Sequence, residues 1–313
     1  MKSVRIANSQ LMASCMAYGC WRVAGWEGAE FTPERELHGR QAIIAAFESG
    51  FTLFDHADIY SDGMGEVVFG KVLKEIPELR GRAIIASKCG IRRAGKPDAH
   101  SPYRYDFSYE HIVTSCEESL QRLGVEVIDI YQLHRPDFLA NPEEVARAFL
   151  QLRQAGKVRE FGLSNAPPSF FRMLQKHLPM KLIVSQVEIS LLRMDPFQDG
   201  TLDHCLEEGV TPMAWSPLAG GKLVTNANVE LSDPLHAKRL KIREALDQIA
   251  RERNASRSAV ALAFLMRHPA GIIPIVGSTN QTTIRESAQA CEIELTRDEW
   301  YRLFEGGIGH RLP

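Results

Sequence analysis

Four residues in the first half of the chain could together transfer a proton: Asp55, Tyr60, Lys88 and His134. A free phenol has a pKa near ~10 and is a poor proton donor near neutral pH. A nearby ammonium group favours the phenolate, and a carboxylate beside the ammonium fixes its position and charge. If these side chains lie together, Asp55 would hold Lys88, and Lys88 would lower the pKa of Tyr60.

The sequence pattern places these four side chains at the ends of neighbouring strands. Asp55 closes the second apolar run of the chain, Lys88 ends the third and His134 ends the fourth, while Tyr60 lies in the loop after Asp55. Neighbouring strands in a sheet lie ~4.8 Å apart, so residues at their ends can converge on one small volume. Each residue alone has an ordinary structural explanation, but the joint pattern indicates a reactive site.

Short β-rich runs alternate with longer helical patterns along the whole chain. This alternation is typical of repeated βα units and a parallel sheet. Eight runs are predicted as strands, over residues 16–21, 52–57, 83–88, 127–134, 158–165, 182–188, 210–216 and 272–277. Eight strands favour a closed (β/α)8 TIM barrel over a doubly wound sheet. Because no linker or low-complexity block interrupts the pattern, we expect one domain over residues 1–313.

Start and stop signals delimit the helices between these strands. Thr32 and Ser108 are predicted N-caps, and Gly50 and Gly124 are predicted to end the same two helices. Further predictions are a helix over 141–156, a helix over 279–290, and a loop with a helix over 222–256, between the seventh and eighth strands.

The bulk composition is that of a globular protein that binds small molecules. Lys plus Arg number 37 against 39 for Asp plus Glu, so charge gives no case for nucleic acid or an anionic membrane. The six cysteines lack metal-ligand spacing, so we expect reduced thiols and no metal site. No signal peptide is evident and no run approaches the ~20 apolar residues of a membrane span, so we expect a cytoplasmic protein.

The glycines after the second strand give a misleading signal for dinucleotide binding. Gly63 and Gly65 lie one residue apart, but the fingerprint G-x-G-x-x-G/A needs a small third residue, and Val68 stands there. We therefore predict that both glycines form the turn between the second strand and its helix. His56 is predicted to be structural, as a hydrogen-bond partner of Asp55.

These residues resemble the aldo-keto reductase family over nearly the whole chain. The segments "DHADIY" from Asp55 to Tyr60, "ASK" ending at Lys88 and "IDIYQLHRPD" with His134 match the family's Asp/Tyr/Lys/His tetrad in order. Such reductases are (β/α)8 barrels that use NADPH, or less often NADH, to reduce aldehydes and ketones. The resemblance implies that Tyr60 protonates the carbonyl oxygen of a small substrate while a neutral His134 orients it.

The resemblance also implies which residues bind the coenzyme. Ser164, Asn165 and Gln186 would hold the nicotinamide carboxamide, and Trp215 would stack on the nicotinamide ring. At the end of the first strand, coenzyme and substrate would be bordered by Gly19, Cys20 and Trp21. After the seventh strand, the pyrophosphate would be contacted by Ser216, Leu218, Gly220 and Lys222. After the eighth strand, the adenosine end would be bound at a helix start by Gly277, Ser278, Thr279, Arg285 and Glu286.

Coenzyme preference and activity leave alternatives open. Thr283 stands where the family usually carries an arginine for the ribose 2′-phosphate; we expect NADPH, with Arg285 or Lys222 as substitutes, but NADH stays possible. One rival is a cofactor-binding regulatory subunit resembling a potassium-channel β-subunit. Another is a Schiff-base aldolase with Lys88 as nucleophile. Substrate choice is expected to lie in loops 24–31 and 92–105 and around His310, whereas the substrate and the oligomeric state are not predicted.

Overall fold

The protein is built on a closed barrel of eight parallel strands. The computed structural model describes residues 1–26, 28, 30–225 and 232–313. Two short antiparallel hairpins stand apart from the barrel: β1 (Ser3–Arg5) pairs with β2 (Met12–Ser14), and β6 (Ile91–Arg92) pairs with β7 (Arg104–Tyr105). The barrel strands are β3 (Ala17–Gly19), β4 (Leu53–Asp55), β5 (Ile84–Cys89), β8 (Ile128–Leu133), β9 (Val158–Ser164), β10 (Leu182–Glu188), β11 (Thr211–Trp215) and β12 (Ile273–Val276).

Each of the eight predicted strand runs coincides with one barrel strand, of which only β5 extends one residue beyond its run, so the predicted (β/α)8 TIM barrel is confirmed. Around the ring the order is β3-β4-β5-β8-β9-β10-β11-β12, and β12 pairs with β3 to close it. The strands are short apolar runs because helices cover their outer face and packed side chains fill the interior.

Helices follow the strands and begin largely where their caps predict. They are α1 (Pro33–Glu48), α2 (Met64–Glu75), α3 (Pro77–Arg82), α4 (Tyr109–Leu123), α5 (Pro142–Gln154), α6 (Pro168–His177), α7 (Thr201–Glu208), α8 (His236–Glu252), α9 (Arg257–Met266), α10 (Gln281–Ala288) and α11 (Arg297–Ile308). The side chains of Thr32 and Ser108 each accept a backbone N–H of the first turn, which confirms them as caps. The side chain of Asn141 caps α5 in the same way. Gly124 ends α4 in the left-handed conformation, as predicted.

The predicted start of the helix after the eighth strand is wrong. Gly277, Ser278 and Thr279 precede the helix, which begins at Gln281. The side chain of Asn280 caps it by accepting the N–H of Thr283, so the first turn of the helix is already partly satisfied. The predicted helix within 222–256 is confirmed as α8, while residues 226–231 of that segment lie outside the described residues.

The barrel interior changes from apolar to polar along its axis. Alternate residues of a strand face the same side, so Ile84 and Ala86 of β5 share the interior with Leu53 of β4 and Ile130 of β8.

Among the helices that the structure describes, none is long and apolar enough to cross a membrane.

Candidate active site

Lys88 lies inside the barrel because it continues the inward face of β5. Ile84 and Ala86 belong to the apolar interior, and Lys88 follows in the same alternation with no exposed surface. Asp55 stands above Leu53 on β4 in the same way and is also buried. The polar side chains therefore lie at the carboxyl end of the strands, which is where TIM barrels carry their active sites.

The ammonium group of Lys88 is surrounded by four oxygen atoms. Its Nζ lies 2.9 Å from Oδ1 and 2.8 Å from Oδ2 of Asp55, and 2.6 Å from the backbone carbonyl oxygen of His56. It also lies 3.2 Å from the phenol oxygen of Tyr60. A buried ammonium needs such partners because the protein interior solvates charge poorly. The predicted contacts of Asp55 with Lys88 and of Lys88 with Tyr60 are both present.

The charge of Lys88 is stable in this setting. Burial by itself would lower its pKa, but the Asp55 carboxylate and the Tyr60 oxygen outweigh burial and raise the pKa above the ordinary value. The ammonium form is therefore the one that faces Tyr60 at neutral pH.

Tyr60 enters the site through a tight turn after β4. Ser61, Asp62 and Gly63 all have positive φ angles, of 48°, 54° and 87°. A Cβ at position 63 would also lie 2.6 Å from the Arg122 side chain, so glycine is required there. Gly63 caps α2 and Gly65 lies in its first turn. Gly63 therefore lies in the connection between strand and helix, as predicted, whereas Gly65 belongs to the helix itself.

The predicted lowering of the Tyr60 pKa is wrong for the protein as it stands. Burial is the largest influence on the phenol and raises its pKa; the Lys88 ammonium opposes this effect without reversing it. The sequence showed the ammonium but could not show how far the phenol is removed from water. Tyr60 is therefore a protonated phenol across the neutral range.

His134 completes the cluster at the end of β8. Its ring lies edge-on to the ring of Tyr60, with 5.9 Å between the centroids. Burial and, to a smaller extent, the positive charges of Lys88 and Arg135 lower its pKa well below the ordinary value. The imidazole is therefore neutral, as expected from the sequence.

His56 does not pair with Asp55, and this prediction is wrong. Its ring packs against Phe69 of α2, with 4.5 Å between centroids, and points away from the barrel interior. Both ring nitrogens are buried without a hydrogen-bond partner among the described residues, and burial lowers the pKa to about 3. Its contribution to the site is the backbone carbonyl that Lys88 contacts.

Asn165 connects two of the predicted coenzyme contacts to the strand end that carries His134. Its Nδ2 donates to the backbone oxygen of His134 at 3.0 Å and to Oγ of Ser164 at 2.9 Å. Its Oδ1 accepts the indole N–H of Trp215 at 2.9 Å. An amide side chain has two donor hydrogens, and both of these are used within the protein.

Gln186 is bound to the tetrad itself. Its Nε2 donates to Oδ1 of Asp55 at 2.8 Å and lies 3.5 Å from Oε1 of Gln132. Sequence reasoning missed Gln132, which is fully buried and has an unpartnered Nε2 among the described residues. Its signal was available, because Gln132 continues the inward face of β8 after Ile130.

The other predicted coenzyme residues border the mouth of the barrel. Ser216, Ala219 and Gly220 have left-handed backbone conformations in the loop that also contains Leu218 and Lys222. A Cβ on Gly220 or Gly277 would meet no atom within 4 Å. The remaining predicted residues lie at the end of β3 (Gly19), directly after it (Cys20 and Trp21), in the loop after β12 (Ser278 and Thr279) and on α10 (Arg285 and Glu286).

Comparison with known proteins decides the family. The sequence profile of the Aldo/keto reductase family matches residues 15–305. The chain belongs to the aldo/keto reductase family. The 6-dehydroglucose reductase of Novosphingobium aromaticivorans is 39% identical over 99% of this chain and 96% of its own. Oxidoreductase YdhF of Escherichia coli K12 is 38% identical over 100% of both chains.

Solved structures of aldo/keto reductases share the fold. The glycerol dehydrogenase of Gluconobacter oxydans has a TM-score of 0.87 and 25% sequence identity, covering 98% of this chain and 95% of that chain. The family and these oxidoreductase relatives support carbonyl reduction as the chemistry of this chain.

Proposed function

We propose that the protein reduces an aldehyde or ketone to an alcohol with NADPH, or with NADH, and that Tyr60 is the general acid. The proposal rests on the contacts of Lys88, whose ammonium group contacts both the Asp55 carboxylate and the Tyr60 oxygen inside the barrel mouth. A pinned ammonium next to a protonated phenol is suited to release a proton and to stabilise the phenolate that remains.

The coenzyme residues fit a nicotinamide dinucleotide. The open space over Gly220 and Gly277 and the left-handed backbone around Gly220 form a cradle in which N–H groups could approach phosphate oxygens. The half-buried indole of Trp215 lies at the end of β11, where it would pair with a flat ring. When bound, the reduced nicotinamide would supply the hydride.

The side chains of the tetrad would act in distinct ways. Tyr60 donates its proton to the carbonyl oxygen, and the Lys88 ammonium stabilises the developing phenolate across 3.2 Å. Asp55 keeps Lys88 in place, and Gln186 in turn holds Asp55. The neutral ring of His134 orients the carbonyl oxygen beside Tyr60. Specificity for NADPH would rest on Arg285 or Lys222, since Thr283 has no cation.

The deciding experiment is an assay of aldehydes, ketones and sugars with each coenzyme, followed by loss of absorbance of the reduced nicotinamide. A relative is named for 6-dehydroglucose, so that aldehyde belongs in the panel. Turnover with a higher kcat/KM for NADPH is expected; a clear preference for NADH would refute the NADPH proposal. Tight coenzyme binding with negligible turnover would favour the regulatory-subunit alternative. Borohydride trapping of a substrate on Lys88 would favour the aldolase.

The pH dependence of reduction should follow the protonation of Tyr60. The phenol must carry its proton to donate it, and burial raises its pKa above the ordinary ~10. We therefore expect kcat for reduction to stay level from neutral pH to about 10 and to fall above that. Steady-state kinetics at saturating substrate, with circular dichroism at each pH as a folding control, measure this. A decrease in kcat centred between about pH 7 and 8 would show that the Lys88 ammonium lowers the pKa of Tyr60 more than burial raises it.

Replacing Trp215 with phenylalanine should weaken coenzyme binding. The change keeps an aromatic face but removes the indole N–H that Asn165 accepts at 2.9 Å. This hydrogen bond positions the ring before the coenzyme binds, so its full value of about 1 kcal/mol sets an upper limit of about fivefold on the rise in Kd. Isothermal titration with NADPH gives the value. Trp300→Phe is the matched control, since its indole N–H donates to Phe264 at 3.0 Å on the outer helices. Equal effects of both changes would contradict a specific role for Trp215.

A further inference from the structure

Two half-buried arginines at the barrel mouth have no polar partner among the described residues. Every other half-buried arginine in that part of the chain donates to a carboxylate or a carbonyl, as Arg92 does to Asp106 and Arg122 does to Glu66. With the described residues, Arg22 and Arg135 form no ion pair and no hydrogen bond through their guanidinium groups, and each instead lies over a tryptophan ring. A partly desolvated guanidinium with free N–H groups is a ready site for an anion.

Arg135 stands beside the reacting groups. It directly follows His134, and its guanidinium carbon lies 5.8 Å from the centroid of the Trp215 ring. Its positive charge also lowers the pKa of the buried His134 ring, which requires that the two side chains lie close together. A substrate whose carbonyl oxygen meets Tyr60 and His134 would therefore have Arg135 within reach.

Arg22 lies on the rim formed after β3. Its guanidinium carbon is 4.3 Å from the centroid of Trp26 and 5.3 Å from that of Trp21. Both tryptophans are largely open to solvent, at 60% and 44% exposure. Stacking uses the flat face of a guanidinium and leaves the N–H groups along its edge available to an oxyanion.

The strand order separates Arg135 from the proposed phosphate contacts of the coenzyme. Those contacts follow β11 and β12, whereas Arg135 follows β8. In the closed ring β8 lies four strands from β12 in either direction, so the backbone of Arg135 lies across the mouth from the loop after β12. Its side chain reaches Trp215 at the end of β11, so the variants below are assayed for the KM of NADPH as well as for the KM of the substrate.

We propose that Arg135 binds an oxyanion carried by the carbonyl substrate, a carboxylate being the simplest example. This inference rests on the proposed reductase function and narrows its substrate class to aldehydes or ketones that bear a negative charge. A carboxylate accepts paired N–H groups from one guanidinium, which would fix the carbonyl end toward Tyr60.

Matched aldehydes test the proposal. The assay compares 4-carboxybenzaldehyde with the neutral 4-carbamoylbenzaldehyde, and succinic semialdehyde with 4-oxobutanamide, each with NADPH. The wild-type protein should have a kcat/KM about 10- to 100-fold higher for at least one carboxylate than for its amide. This preference should shrink at high ionic strength. Equal values for both members of both pairs would overturn the proposal.

Variants then locate the anion site. Arg135→Gln should remove the preference by raising KM for the carboxylate while changing the amide kinetics less than about threefold. Arg22 follows β3, three strands from β8 in the ring, so Arg22→Gln should change the preference less than Arg135→Gln does. Arg135→Lys keeps the charge and should retain part of the preference. Arg297→Gln is the matched control, because Arg297 also stacks on an aromatic ring, Tyr301 at 5.4 Å, on the outer helix α11. An equal fall in kcat/KM for the carboxylate and the amide aldehyde, or a change confined to the KM for NADPH, would count against the site.

A binding measurement separates this inference from the reductase function. Terephthalate and its monoamide, terephthalamate, carry no aldehyde and cannot be reduced. Calorimetry should show that terephthalate binds the coenzyme-loaded wild-type protein more tightly, and that Arg135→Gln abolishes the difference. If no carbonyl compound is reduced yet this difference is found, the anion site stands and the reductase proposal fails. If reduction is found without the difference, the anion site fails.

Discussion

Tyr60→Phe should lower kcat/KM for carbonyl reduction by about 10²- to 10⁴-fold, the range that a positioned general acid contributes. The phenylalanine ring can keep the edge-on contact with His134, which now has a centroid distance of 5.9 Å. What is lost is the hydroxyl group that lies 3.2 Å from the Lys88 ammonium. The effect should therefore fall on kcat more than on substrate affinity.

Two control measurements accompany the Tyr60→Phe prediction. The affinity for NADPH, measured by calorimetry, should change little because no predicted coenzyme contact is removed. Tyr301→Phe on α11 provides a control for the loss of a tyrosine hydroxyl far from the barrel mouth. Retention of wild-type reduction by Tyr60→Phe would remove Tyr60 from the role of general acid.

Lys88→Met should abolish activity and also destabilise the protein. The buried Asp55 carboxylate would keep the hydrogen bond from Gln186 but lose the cation 2.8 Å away. Breaking a buried pair by removing one partner costs about 3 to 5 kcal/mol, because an uncompensated charge is left inside. Urea denaturation at neutral pH measures the loss, and the coenzyme assay measures the activity.

A double variant separates stability from catalysis at this pair. Asp55→Leu combined with Lys88→Met removes both charges, and it should recover most of the free energy of unfolding while remaining inactive. Full stability in the single Lys88→Met variant would show that the pair is not buried as described.

The raised pKa of Lys88 predicts how the stability of the folded protein depends on pH. The stabilisation that the Lys88 ammonium gives is complete below its unfolded pKa of ~10.4 and is lost as pH rises through its pKa in the folded protein.

The architecture could be read from the sequence because its signals are local. Each barrel strand is a short apolar run, and alternation along β5 is enough to place Lys88 on the same face as Ile84 and Ala86. Caps such as Thr32 act within one turn and were equally readable. The position of the tetrad at the barrel mouth follows from these local rules.

The features that sequence reasoning missed depend on three-dimensional surroundings. The pKa of Tyr60 is set by burial, which no residue type reveals, and so its direction was predicted wrongly. The ring of His56 contacts Phe69 of α2 instead of Asp55, a contact between distant parts of the chain that the local sequence does not show. Arg22 and Arg135 stand out only because no described carboxylate pairs with them, a property that a list of residues cannot show.

The hydrogen bonds of Asn165 have a consequence for engineering the enzyme. One amide side chain holds the indole of Trp215 at 2.9 Å and the backbone oxygen of His134 at 3.0 Å. Mutations that shift the end of β8 to fit a bulkier ketone would therefore also tilt the ring of Trp215. Directed evolution of new substrate scope in this scaffold should encounter compensating mutations at position 165 or 215.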